Sequence, residues 1–96
     1  MATYILLSTL TEDGAQTLRK NPERILEVNR EVEGKGCKIL TQYAVLGPYD
    51  FVTVIDAPDN ETVARISVEL GSRGSVRIIS LAAIPVDQFV KKLMEK

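Results

Sequence analysis

The chain has 96 residues, 45% of them hydrophobic and 26% charged, an ordinary globular composition that excludes a disordered tail or a fibrous protein. Its 12 basic and 13 acidic residues leave a formal net charge of −1, so no overall positive field exists for wrapping nucleic acid and no such partner is expected. Histidine and tryptophan are absent and Cys37 is the one cysteine, which removes His-dependent haem ligation, the common zinc sites, Ser–His–Asp and Cys–His catalytic machinery, and any disulfide within one chain.

Met1-Ala2-Thr3-Tyr4 leads straight into an apolar run with no basic segment ahead of it, and the run Tyr4 to Leu7 is far too short for a signal-peptide core. Nothing approaches the roughly 18 apolar residues of a membrane span. The expectation is a cytoplasmic protein with no membrane contact, and a lone cysteine fits a reducing compartment. Cys37 has no base or cation run beside it and is expected as a small buried hydrophobe, not as a reactive thiol.

Thr3 to Leu10 is rich in β-formers and apolar on both parities, which predicts a strand covered on both faces. Thr11 offers an N-cap, with Glu12 and Asp13 in the first turn of a short helix to about Lys20. Asn21-Pro22-Glu23 reads as a second helix start, followed by Ile25, Val28 and Val32 on one stripe and a stop at Gly34-Lys35-Gly36. The charged residues Arg19, Lys20, Arg24 and Arg30 are interleaved with Glu23, Glu27, Glu31 and Glu33, so a solvated, salt-bridged face is expected there. Cys37 to Leu46 reads as the second strand, Gly47-Pro48-Tyr49-Asp50 as a hairpin turn, and Phe51 to Asp56 as the third strand. Ala57-Pro58-Asp59-Asn60 breaks that strand and caps a helix with Val63, Ile66 and Leu70 on its apolar stripe, ending in Gly71-Ser72-Arg73-Gly74. Val76 to Ile84 is the fourth strand, and beyond Pro85 the residues Val86, Phe89, Val90, Leu93 and Met94 mark a last amphipathic helix.

The order β-α-β-β-α-β plus a C-terminal helix predicts one α+β domain over 1–96, a ferredoxin-like split βαβ unit with strand order 4-1-3-2 and right-handed crossovers. Both crossover helices then lie on one face. Strands one and four are nevertheless apolar on both parities, and the final helix cannot cover a sheet alone. The uncovered face predicts a second copy packed sheet to sheet, hence a homodimer or an assembly of dimers.

Leu46-Gly47-Pro48-Tyr49-Asp50-Phe51-Val52, followed by Asp56-Ala57-Pro58-Asp59, resembles the GYD-domain proteins, named for the Gly, Tyr and Asp matched by Gly47, Tyr49 and Asp50. Leu10-Thr11-Glu12-Asp13-Gly14 and the Arg-bearing helix after Pro22 are similar too, so the resemblance spans essentially the whole chain; Asp56 stands where the family often has Glu. It implies a dimeric α/β-barrel, in which two ferredoxin-like sheets face each other. Related barrels include cofactor-free monooxygenases, lactone isomerases, haem enzymes and effector-binding modules.

The predicted topology gathers Tyr49, Asp50 and Arg77 at one end of the sheet, near Thr9 and Thr11, and Tyr4, Cys37 and Asp56 at the other. A Tyr, an Asp and an Arg beside an apolar face are the candidate ligand-binding residues, because an arginine in an apolar strand needs a carboxylate, a ligand anion or solvent. The plainer readings are a turn for Gly47 and Pro48, a backbone bond or an Arg77 pair for Asp50, and packing for Tyr49. No metal site and no cofactor are expected: Asp56 and Asp59 lack a histidine partner, and Gly71–Gly74 lacks the Lys-Ser pair of a phosphate loop. Three functions stay open. One is a homo-oligomeric protein binding a small organic anion. Another is a cofactor-independent isomerase or monooxygenase with Asp50 as base, Tyr49 as hydrogen-bond donor and Arg77 as electrostatic partner. The third is a structural or regulatory assembly module.

Overall fold

In the computed structural model, which describes Met1–Lys96, the chain runs β1 (Ala2–Leu10), α1 (Glu12–Lys20), α2 (Arg24–Glu33), β2 (Lys38–Ala44), β3 (Phe51–Ala57), α3 (Asn60–Gly71), β4 (Val76–Ala83) and α4 (Val86–Met94). The strands form one antiparallel sheet ordered β2-β3-β1-β4, which is 4-1-3-2 read from the other edge. This is the α+β ferredoxin-like arrangement, with β1 hydrogen-bonded along both sides to β3 and β4.

Strand alternation divides the sheet into two faces. Tyr4 and Leu6 of β1 and Ile55 and Ala57 of β3 point to the helical side. There they form the core with Val63, Ile66 and Leu70 of α3, Val32 of α2 and Cys37. The predicted stripe of α3 is therefore its buried face, and Asp59 caps that helix by accepting from the Thr62 backbone N–H (2.8 Å) and hydroxyl (2.6 Å). Those two bonds hold the Asp59 carboxyl below its ordinary pKa. The Tyr4 hydroxyl donates to the Asn60 side-chain oxygen at the start of the same helix, so this ring packs in the core and its polar tip is satisfied. Cys37 is buried, and desolvation, followed by the charge of Asp59, pushes its thiol up, away from the reactive thiolate.

Thr11 ties α1 to the far edge of the sheet. Its side chain accepts from the Gly14 N–H (3.1 Å) as an N-cap and donates to the Gly74 carbonyl (2.6 Å), while its backbone N–H donates to Ser75 O (3.0 Å). Gly14 is consequently so close to the chain entering β4 that a Cβ there would lie 1.9 Å from Ser75 O. Two boundaries differ from the sequence reading by more than one residue. α2 begins at Arg24 without a side-chain cap, because the Asn21 N–H closes α1 on Thr17 O (2.9 Å) and Asn21 O then accepts from Arg24 N (3.1 Å). β2 ends at Ala44, since Val45 turns its N–H onto Asp50 O (2.9 Å) to close the hairpin; a bulge between Ile39 and Thr41 interrupts it earlier.

α1 and α2 cover the sheet less tightly than α3. Of their residues only Gly14 and Val32 are buried, and a cavity of about 150 Å³ lies between these helices and the sheet.

Gly14→Ala is expected to destabilise the protein by about 1–3 kcal/mol, because rigid backbone on both sides must shift. Gly47→Ala, whose Cβ would meet nothing within 4 Å but whose φ is +108°, should lose about 1–2 kcal/mol through backbone strain alone. Urea unfolding midpoints measure both.

Candidate functional site

The face of the sheet opposite the helices consists of four cross-strand rows. Ala83–Thr3–Asp56–Lys38 lies at one end, then Leu81–Ile5–Val54–Thr41, then Ile79–Leu7–Val52–Tyr43, and Arg77–Thr9 at the hairpin end. The two middle rows are apolar apart from Thr41 and the Tyr43 hydroxyl. Ile79 and Leu81 stay 49% and 44% exposed, because α1, α2 and α3 pack on the other side. α4 does not cover this face either. It projects from the sheet with no residue buried, Phe89, Val90 and Leu93 all exposed, and gives the molecule dimensions of 54 × 28 × 19 Å.

The exposed surface is large for the size of the chain. A monomer of 10.6 kDa is expected to expose about 5,500 Å². This chain exposes 6783 Å², an excess on the order of 1,300 Å², against the roughly 800 Å² that each partner contributes to a standard interface. Leu46, at the hairpin tip, is 99% exposed.

The three candidate residues lie at the hairpin end, and they do different things. Asp50 donates its N–H to Ser8 O (2.8 Å) and its carboxylate accepts from the Leu10 N–H (2.8 Å), so it extends the β1–β3 ladder by one side chain. Arg77 pairs with Thr9 from the β4 side of β1, so Asp50 and Arg77 flank the same strand from opposite edges and form no ion pair with each other. Arg77 is exposed on the open face without an acid of its own chain; Tyr49 is half-buried next to Asp50. None of the three lines the cavity on the helical side. Tyr4, Cys37 and Asp56 lie at the opposite end, where Thr3 donates to Asp56 (3.0 Å).

Charge is handled on the helical surface by a local network. Glu31 takes Arg73 (2.5 and 3.1 Å) and Arg24 (3.6 Å), Arg24 also reaches Glu27 (2.9 Å), and Glu69 takes Lys35 and Arg65 (2.8 Å each). The bond from Arg73 holds Glu31 below its usual pKa, and Lys35 with Arg65 pulls Glu69 down to about 2. No group of three or more acidic or thiol side chains is placed to hold a metal, and no helix is long and apolar enough to cross a membrane.

A ferredoxin-like sheet with one covered face, one bare apolar face and a Gly-Pro-Tyr-Asp hairpin at its end defines the class of protein. The GYD domain profile matches residues 4–93, and the chain belongs to that family. It is 58% identical over 94 residues, covering 97% of this chain and 99% of the relative, to a Thermus thermophilus protein named glutamine synthetase and cystathionine beta-lyase binding protein. TTHA0845, also from Thermus thermophilus, has the same fold, with a TM-score of 0.55 at 21% identity over 88% of this chain and 95% of that one.

Asp50→Ala should cost about 1.5–3 kcal/mol by leaving the Leu10 N–H unpaired, whereas Asp50→Asn keeps an acceptor and should cost less; denaturant titration separates them. For Glu69 the folded pKa lies below the usual 4.5, so its stabilising effect is present above that pH and is lost as pH falls towards 2. Glu69→Gln is expected to flatten the acid limb of the stability profile between those values, and salt should shrink the difference, since the group is exposed.

Proposed function

We propose that the chain is a non-catalytic binding protein that pairs with a second copy through its open sheet face and docks, as that pair, on metabolic enzymes. The single observation that carries the docking is the 58% identity, over nearly its whole length, to a protein named for binding glutamine synthetase and cystathionine beta-lyase. The self-association rests on the excess surface and on the two apolar rows, Leu81–Ile5–Val54 and Ile79–Leu7–Val52. Such a patch is self-complementary under a two-fold axis perpendicular to the strands, which brings the Arg77 end of one copy over the Asp56 end of the other.

In this reading α4 is the arm offered to the enzyme. Nine residues are too few for a helix to be stable by itself in water, so its stripe of Phe89, Val90 and Leu93 needs a surface to rest on. Tyr49, Asp50 and Arg77 form the polar rim of the open face. There Arg77 takes an anionic group, either a carboxylate of a protein or a small organic anion, while Asp50 holds the hairpin in place. The commitment of the Asp50 carboxylate to the Leu10 N–H speaks against its use as a general base.

Light scattering after size exclusion is expected to give a dimer or a multiple of it for the native chain and a folded monomer for Leu81→Lys. A native monomer overturns the pairing. Native mass spectrometry with purified Thermus thermophilus glutamine synthetase and cystathionine beta-lyase is expected to show a complex with at least one of them; Phe89→Asp should weaken it at least tenfold with the dimer intact. If Phe89→Asp dissociates the dimer, α4 belongs to the self-interface, and if neither enzyme binds, the docking reading is wrong.

A further inference from the structure

The cavity of about 150 Å³ is a cleft partly open to solvent, on the side of the sheet that the proposed interface does not use, between α1, α2 and the strands. Most of its wall is aliphatic, but its floor carries a hydrogen-bonded strip. Asn29 and Gln42 exchange amide bonds (2.8 and 3.2 Å), and Gln42 spends its second N–H on the Thr53 hydroxyl oxygen (3.0 Å). Thr53 therefore acts as acceptor towards Gln42 and keeps its own proton to give. Ser8, a diagonal neighbour of Thr53 across the β1–β3 ladder, brings a second hydroxyl to the same space.

The charges of the lining are already spoken for. Arg24 and Arg73 are its charged residues, both partly exposed and both paired with Glu31 (3.6 and 2.5 Å), and no acid lines the space. A guest here meets no free charge, a largely apolar wall, and two adjacent hydroxyl donors. A cleft of this volume, open to solvent on one side, has room for a single six-membered ring. We infer that this cavity is a binding site for a small neutral carbonyl compound of about one ring, its oxygen received by Ser8 and Thr53. The site is independent of the enzyme-docking reading, which uses the other face and α4.

The test uses cyclohexanone as the carbonyl probe and toluene as an apolar control of similar size, each titrated into ¹⁵N-labelled protein with amide shifts as the readout. Saturable shifts are expected at Ser8, Thr53, Val28 and Ile39, with cyclohexanone the tighter ligand. Ser8→Ala and Thr53→Val should each weaken cyclohexanone about two- to tenfold and leave toluene within twofold. Val28→Phe, which fills the space, should abolish both. The same spectra show whether each variant is folded, and Ser8→Ala, a small change at a half-buried site, keeps the test decisive if a larger substitution unfolds the chain. Absence of saturable shifts up to tens of millimolar, shifts confined to Ile5 and Val54 on the open face, or equal weakening of both probes would overturn the assignment.

Discussion

The rest of the structure depends on the double pairing of β1. Because β3 and β4 hydrogen-bond this strand along both edges, its side chains cannot rotate between faces, and seating Tyr4 and Leu6 in the core sends Ile5 and Leu7 outward. The register is pinned from both ends. Asp50 receives the Leu10 N–H and gives its own to Ser8, while Thr3 reaches Asp56 and Tyr4 reaches Asn60 at the other end. A slip by one residue would exchange the two faces and undo these bonds together. The bare apolar face is thus a consequence of how β1 is held, and no local repacking of one chain removes it.

The same alternation gives β3 two chemistries in neighbouring residues. Val52 and Val54 belong to the open face, and Thr53 between them carries the polar floor of the cavity. The two proposed binding surfaces are therefore separated by the thickness of one strand. Arg77 follows the same logic: its parity puts it on the open face with Thr9, whereas Asp56 lies in the row at the opposite end and the Asp50 carboxylate is held by the Leu10 N–H. Its guanidinium is left as a positive mark at the hairpin end of that face, with Asp56 and Lys38 at the other end.

Much of this was legible in the sequence for identifiable reasons. Near-continuous apolar β-forming runs, the caps Thr11 and Asp59, and the Val63, Ile66 and Leu70 stripe each carry a local signal, and together they lead to the strand order. The excess of apolar residues on both parities of the first and fourth strands marked the open face. The cavity was not legible, because nothing along the chain reveals that Asn29, Gln42 and Thr53, far apart in sequence, meet through side-chain hydrogen bonds. Gly14 carries no local signal of its role, since only the approach of Ser75 explains why it has no side chain. The stripe of α4 is legible in the sequence as amphipathic, but periodicity identifies an apolar face without saying what it rests on. Asn21 reads in the sequence as the cap of α2, but the Thr17 carbonyl takes its N–H and makes it the end of α1.

The small number of buried groups bears on how such a chain stays folded. Eleven of its 96 residues are buried, a small core even for this length, and α1 and α2 leave an open cleft over the sheet. A protein in that condition draws stability from whatever binds the folded form and not the unfolded one. A second copy over the open face and a guest in the cavity act through the same relation, each adding RT ln(1 + [L]/Kd) for its own free concentration. The two are distinguishable by their dependence: self-association makes the unfolding midpoint rise with the concentration of the chain itself, whereas a guest raises it at fixed chain concentration. Under the proposed readings, the bare sheet and the cleft are two places where binding adds to the stability of the fold.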